Sequence, residues 1–277
     1  MKTQKAVNNA VYRTRGHAWW DEQEGDFASL RFWVNPVRFV YFTRVIERER
    51  GSGRVLETVL DVGCGGGYLA EEFAKAGFAV TGVDAAPESI MCARRHAAET
   101  GLQIEYLEGR AERIPLDNEA FDVVLCCDVL EHVDDFERAL AEIARVMKPN
   151  GLFFYDTVNR TLISKVAVIK VAQEWRSTAF VAPGSHVWSR FIKPRELAAA
   201  MARQGLINRE VRGIAPGANA IAYWLGLRRL AQGKMSCREL GSRLPLRETR
   251  GLSVSYMGYA TKVPRDPAAC PARKMTT

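Results

Sequence analysis

Residues 58–67, Thr-Val-Leu-Asp-Val-Gly-Cys-Gly-Gly-Gly, run a β-branched apolar stretch into four glycines within five positions, with one acid, Asp61, just before them. An apolar run closed by glycines predicts a buried parallel strand turning sharply into a helix, here expected over 68–76. Glycine lets backbone approach a ligand where a Cβ would collide. A nucleotide-like cofactor is therefore expected at this turn, with Gly63, Gly65 and Gly67 against it.

Two cofactor classes use such a turn. Gly65-Gly66-Gly67-Tyr68-Leu69-Ala70 satisfies G-x-G-x-x-A, and Asp84 follows about 20 residues on, as nicotinamide or flavin dinucleotide binding requires. A carboxylate one turn earlier, however, repels a pyrophosphate and attracts the sulfonium and amino groups of S-adenosylmethionine. Asp61 therefore favours S-adenosylmethionine, with Asp84 placed to take both ribose hydroxyls. A dinucleotide and a purely structural turn are the remaining readings.

The pattern then repeats. A second strand is expected at 78–83, a helix opened by Pro87 to about 100, and strands at 104–107 and 121–127. A helix over 136–147 meets the stop signal Lys148-Pro149-Asn150-Gly151 before a fifth strand at 152–157. This alternation predicts an α/β, doubly wound Rossmann-like sheet with right-handed crossovers and a ligand crevice at the carboxyl ends of its strands.

The 47% hydrophobic content of 277 residues is enough for a substantial core. We read an N-terminal helical cap at 1–50, the catalytic domain at 51–262, and a mobile tail at 263–277. Cys64, Cys92, Cys126, Cys127, Cys237 and Cys270 form no C-x-x-C pair and read as small hydrophobes in a reducing cytoplasm. The net charge of +7 is dispersed, without the basic and aromatic alternation of a nucleic-acid groove, so no nucleic-acid partner is expected. No run approaches the roughly 18 apolar residues of a membrane span. Residues 1–16 are basic and free of acids; this weakly resembles a transit peptide, and a disordered end is the plainer expectation. Nothing in the sequence sets an oligomeric state.

After the fifth strand, 161–183 carries Leu162, Val166, Ile169 and Val171 at roughly helical spacing, with Lys165, Lys170 and Arg176 between them. Such a segment serves as a lid over a substrate cleft, as a peripheral contact in a membrane interface, or as both. Residues 218–232, with Ile221, Trp224, Leu225 and Leu230 beside Arg228 and Arg229, have the same character. Two such segments point to an apolar small-molecule substrate.

The second chemical constellation is Asp128-Val129-Leu130-Glu131-His132-Val133. On a helical turn, Asp128, Glu131 and His132 share one face beside the expected methyl donor. They could hold a divalent metal such as Mg2+ that lowers a phenol's pKa. Alternatively His132 acts alone as a general base, or the acids cap a helix start. His186, beyond the insertion, is a second candidate base.

These residues together resemble a known family. The run 59–67, Asp84, Leu130-Glu131-His132-Val133, Asn159-Arg160, Gly184-Ser185-His186 and Phe191-Ile192-Lys193-Pro194 resemble, in order, the O-methyltransferases of ubiquinone biosynthesis. Trp19-Trp20-Asp21, Glu24-Gly25-Asp26-Phe27 and Asn35-Pro36-Val37-Arg38 look like that family too. The resemblance implies a seven-stranded class I methyltransferase sheet with a lid insertion at 161–190 between strands 5 and 6. It implies S-adenosylmethionine-dependent methylation of a phenolic or catechol hydroxyl, with Arg38, Gly63, Asp84 and Cys127 against the donor. The insertion looks like the family's membrane-associating segment. Asp128 stands where the family has Glu. Gly109-Arg110-Ala111-Glu112 follows the pattern of general small-molecule methyltransferases, which puts Ala111 and Glu112 at the donor. The C-terminal region from Gly213 to Gly251, with an apolar helical segment expected near 218–245, is longer and more apolar than the family's. A natural-product or other small-molecule methyltransferase, acting on O, N or C, is therefore the rival reading, and a non-catalytic cofactor-binding scaffold the third.

Overall fold

The computed structural model describes residues 7–21, 27–51, 57–217 and 219–264. Residues 1–6 of the basic N-terminus, the acidic Glu24-Gly25-Asp26 motif and the tail from 265 lie outside the described residues, whereas Ala10–Thr14, within the expected disordered end, is helical. One sheet of eight strands, ordered β3-β2-β1-β4-β5-β8-β6-β7, runs through the molecule. It comprises β1 (Thr58–Val62), β2 (Ala79–Asp84), β3 (Ile104–Glu108), β4 (Phe121–Cys127), β5 (Met147–Val158), β6 (Leu206–Pro216), β7 (Leu246–Thr249) and β8 (Ser255–Lys262). The first five pair in parallel; β8, β6 and β7 pair antiparallel. The expected seven strands are thus eight, because β7 adds an edge beyond β6.

The helices are α1 (Ala10–Thr14), α2 (Asn35–Arg50), α3 (Tyr68–Lys75), α4 (Pro87–Glu99), α5 (Phe136–Val146), α6 (Leu162–Ser164), α7 (Pro194–Arg203), α8 (Ala220–Ala231) and α9 (Cys237–Arg243). Alternate side chains of the central strands feed two cores, as a sheet covered on both faces requires. Val59, Val123 and Phe154 pack against Phe42 of α2, Phe73 of α3 and Ile90 of α4. Leu60, Val124 and Phe153 pack against Ile143 of α5 and Leu197 of α7. Helix starts follow local chemistry: Pro87 and Pro194 open α4 and α7, and Asp135 caps α5 by accepting from Arg138 N at 3.0 Å.

The insertion departs from its expected α-helical spacing. After α6, residues Lys165–Glu174 form a π-helix, with Trp175 N donating to Lys170 O at 2.7 Å. The wider turn scatters the expected stripe. Leu162 and Val166 are exposed, Ile169 packs with Val158 and Phe191, and Val171 faces a cavity. A second π-helix, Leu30–Val34, precedes α2. Among the described residues no helix is long and apolar enough to cross a membrane, and Cys64, Cys92, Cys126, Cys127 and Cys237 are free thiols.

Candidate active site

At the carboxyl end of β1 the chain turns with Gly63 at φ +73° and Gly65 at φ +53°. Gly63 N and Cys64 N donate to Val83 O at 2.7 and 3.1 Å, which ties the turn to β2. Asp84, at the end of β2, accepts from Gly65 N at 2.9 Å and Ala86 N at 2.8 Å. A cavity of about 280 Å³ opens here, and Arg38, Asp61, Gly63, Gly65, Asp84, Ala111, Glu112 and Cys127 all stand on its wall. Gly67 does not. It is the left-handed N-cap of α3, and a Cβ there would lie 2.3 Å from the Tyr106 hydroxyl. Its glycine answers to packing, and the cradle belongs to Gly63 and Gly65.

Burial pushes the Asp61 carboxyl up to about 7, the neighbouring Asp84 charge adds to this, and Arg38 opposes it. Burial likewise raises Asp84, against the backbone amides it accepts from. A buried and a half-buried carboxyl facing one cavity form a site for a cationic, hydroxyl-bearing ligand.

A second cavity of about 610 Å³ adjoins the first and is walled largely by apolar side chains. Trp33, Val168, Val171, Phe180, Tyr223 and Leu227 come from the π-helices, the insertion and α8. Arg38, Asp128, His132 and Tyr12 line both cavities; His186 lines only the apolar one.

The Asp128 turn is not helical. Asp128 sits at φ +53°, its N–H donating to Asp156 Oδ1 at 2.9 Å, and His132 N donates to Val129 O at 2.8 Å. Asp128 and His132 still meet at the cavity walls, and Glu131, turned to Thr157, is the member of the expected face that does not join them. Arg38 donates to Asp128 and, at 2.6 Å, to Asp156. Burial works against the Asp128 carboxylate, but the Arg38 guanidinium overrides it and holds the group below the usual range. Asp156 shares that guanidinium, but burial outweighs it and, with the Asp128 charge adding, raises the group to about 7. Glu131 accepts from Thr157 Oγ1 at 2.8 Å, reaches neither cavity, and is also raised by burial, with the Asp128 charge second. His132 and His186 stand nearly edge to face at 5.3 Å. Burial first, and His186 second, push His132 down to about 3; burial lowers His186 as well.

A ubiquinone biosynthesis O-methyltransferase from Paramagnetospirillum magneticum is 38% identical to this chain over 213 residues, 74% of this chain and 83% of that protein. The chain belongs to this O-methyltransferase family. Its relative from Caulobacter vibrioides is 39% identical over 204 residues, 71% of this chain and 79% of that one, and residues 60–155 match the family model for a methyltransferase domain. Among solved structures, a SAM-dependent methyltransferase from Aquifex aeolicus superposes with TM-score 0.54 at 15% identity, covering 86% of this chain and 95% of that one. A cyclase superposes as well, with TM-score 0.57 at 16% identity, covering 94% and 97%. The fold alone is thus neutral about chemistry.

The methyltransferase's donor cavity fits S-adenosylmethionine: carboxyls face it and glycines with positive φ cradle it. The metal expectation does not fit. Asp128 is engaged by Arg38, Glu131 by Thr157, and among the described residues no three His, Cys, Asp or Glu side chains come together to hold an ion. Sequence reasoning missed Asp156 and Tyr12. Asp156 is legible in retrospect as one acid inside a buried strand; Tyr12 lies in a segment with no periodic signal.

Proposed function

We propose that the chain transfers a methyl group to a phenolic or catechol hydroxyl of an apolar, ubiquinone-type precursor. The observation that carries this reading is the shared wall: Asp128 and His132 face the donor cavity on one side and the apolar chamber on the other. S-adenosylmethionine, when bound, supplies an electrophilic methyl group. Asp61 attracts its cationic end and Asp84 accepts from its ribose. The chamber takes the apolar body of the acceptor and leaves its hydroxyl at the polar end, which is the alignment an in-line displacement needs.

His132 is kept neutral by burial, so an imidazole lone pair is free to accept the phenolic proton. It is a weak base. The phenolic proton grows strongly acidic as oxygen takes the methyl group, so a late transfer suffices. The Asp128 carboxylate, ionised by Arg38, then stabilises the imidazolium. Exposed Leu162, Ile163, Val166 and Trp175 beside Lys165 and Arg176 support a peripheral membrane contact at the insertion. The chamber wall supplied by Tyr223, Trp224 and Leu227 of α8 and Leu246 of β7 favours, as the second reading, another apolar phenol as acceptor.

The test is turnover of a prenylated catechol by purified protein with and without a chelator. Turnover is expected to persist in chelator and to fall by about 10²- to 10⁴-fold in His132→Ala. Absence of methylation, or an unimpaired His132→Ala enzyme, overturns the reading; loss in chelator restores the metal.

A further inference from the structure

The described N-terminal segment 7–21 lies across both cavities, fastened by hydrogen bonds along its length. Asn8 N donates to Gly184 O at 2.9 Å, and Asn9 Nδ2 to His132 O at 3.0 Å, so adjacent residues join the loops that carry the two histidines. Trp19 Nε1 donates to Ser89 Oγ at 2.9 Å and Trp20 Nε1 to Gly66 O at 2.8 Å. The Trp19 ring lies directly on the glycine turn, where a Cβ on Gly65 or Gly66 would come within 2.4 or 2.3 Å of it. Between these anchors, Tyr12 stacks on Phe27 at 5.8 Å and Trp19 at 6.4 Å, and meets His132 edge-on at 6.0 Å. Tyr12 lines the donor cavity and the apolar chamber alike.

We propose that Tyr12 is a positioning residue for methyl transfer, held by the N-terminal segment in the partition between donor and acceptor. Its ring fixes the His132 imidazole from one side and closes the donor cavity over the turn on the other. Arg38 and Asp128 enter the same partition from α2 and from the end of β4, so the segment completes a wall that the sheet leaves open. The aromatic stack holds the ring without help from its hydroxyl. The inference rests on the methyl-transfer reading, and one of its two readouts needs no acceptor.

The experiment measures the dissociation rate of S-adenosylhomocysteine and steady-state kinetics with a short prenylated catechol. In Tyr12→Ala, dissociation is expected to quicken about tenfold and kcat to fall about 100-fold with acceptor KM nearly constant. Tyr12→Phe, which keeps the stack, restores both to within about threefold. Asn9→Ala, which releases the His132 loop without touching a ring, lowers kcat by about fivefold and leaves the melting curve unchanged. A Tyr12→Ala protein with normal melting, dissociation and kcat overturns the proposal, as does a Tyr12→Phe protein as impaired as Tyr12→Ala. Should Tyr12→Ala fail to fold, an Asn9→Ala enzyme with wild-type kcat overturns it. Should the wild-type protein methylate no phenol, the functional reading falls, and the dissociation rates alone decide Tyr12.

Discussion

Asp61 is buried beside a second carboxyl because the donor site needs negative charge there, and the empty protein bears the cost. With its folded pKa raised to about 7, against a usual carboxyl value near 4, the folded state holds this proton more tightly than the unfolded state does. Its stabilising contribution is full below about pH 4 and is lost as pH rises through about 7, a penalty of at most about 4 kcal/mol at about 1.36 kcal/mol per unit. A cationic ligand binds the ionised form. Affinity for S-adenosylmethionine, measured by calorimetry, is therefore expected to rise from pH 6 to 8, by at most about tenfold per unit below the pKa. Asp61→Asn flattens that curve, weakens binding and raises the melting temperature of the empty protein at pH 8; a flat wild-type curve counts against the assignment. Gly67 makes the opposite case. Ala there must adopt φ +87° and push on the buried, unpartnered Tyr106 hydroxyl. Gly67→Ala is expected to cost about 3 kcal/mol, or about 8 °C in melting temperature. Because Gly67 is off the cavity wall, donor affinity of the folded protein stays unchanged, and a large loss of affinity with normal melting would contradict this placement.

At the scale of elements, the first five strands and their helices were legible because each is specified locally, except that β5 starts at Met147 and takes in the expected stop signal at 148–151. Phe121 to Cys127 is a short apolar run closed by an acid, and the structure gives β4 those same ends. The insertion was legible only as an amphipathic element. Apolar spacing announces that a helix has a buried face, but not that i→i+5 bonding widens it and sends neighbouring apolar residues to different surroundings. The divided face has a consequence for membrane contact. Ile163 and Trp175, 59% and 46% exposed, lie outside the cavity walls, so replacing both with Ser removes surface hydrophobicity without touching the chamber. The double variant is expected to bind vesicles of phosphatidylcholine and phosphatidylglycerol about tenfold more weakly, with turnover of a water-soluble catechol unchanged. Equal sedimentation of variant and wild type would move the membrane contact elsewhere.

On the scale of the whole molecule, the chamber is assembled from pieces that sequence proximity cannot connect. Trp33, from the N-terminal π-helix, stacks on Tyr223 of α8 at 5.7 Å and donates to Leu244 O at 2.9 Å. Phe32 O lies so close to α9 that a Cβ on Gly241 would come within 2.2 Å of it. Those contacts close roughly two hundred residues of chain, and with the insertion they roof a space that no local pattern announces. β6, β7 and β8 were not placed on residues, and β7 is the hardest of them to read: a four-residue edge strand takes its place from β6 rather than from its own composition. A chamber of about 610 Å³ lies within the range that encloses one compact ligand, so it takes the phenolic head and the first units of an isoprenoid tail but not a long tail entire. Each methylene buried there contributes about 0.8 kcal/mol, and each left outside contributes nothing to binding in the chamber. In detergent, KM for a catechol series is therefore expected to fall steeply over the first prenyl units and then level, while kcat, set at the polar end, changes little. A KM indifferent to the first units would mean that the tail does not enter the chamber, and a KM still falling at full natural length would mean that the tail continues along a surface outside it.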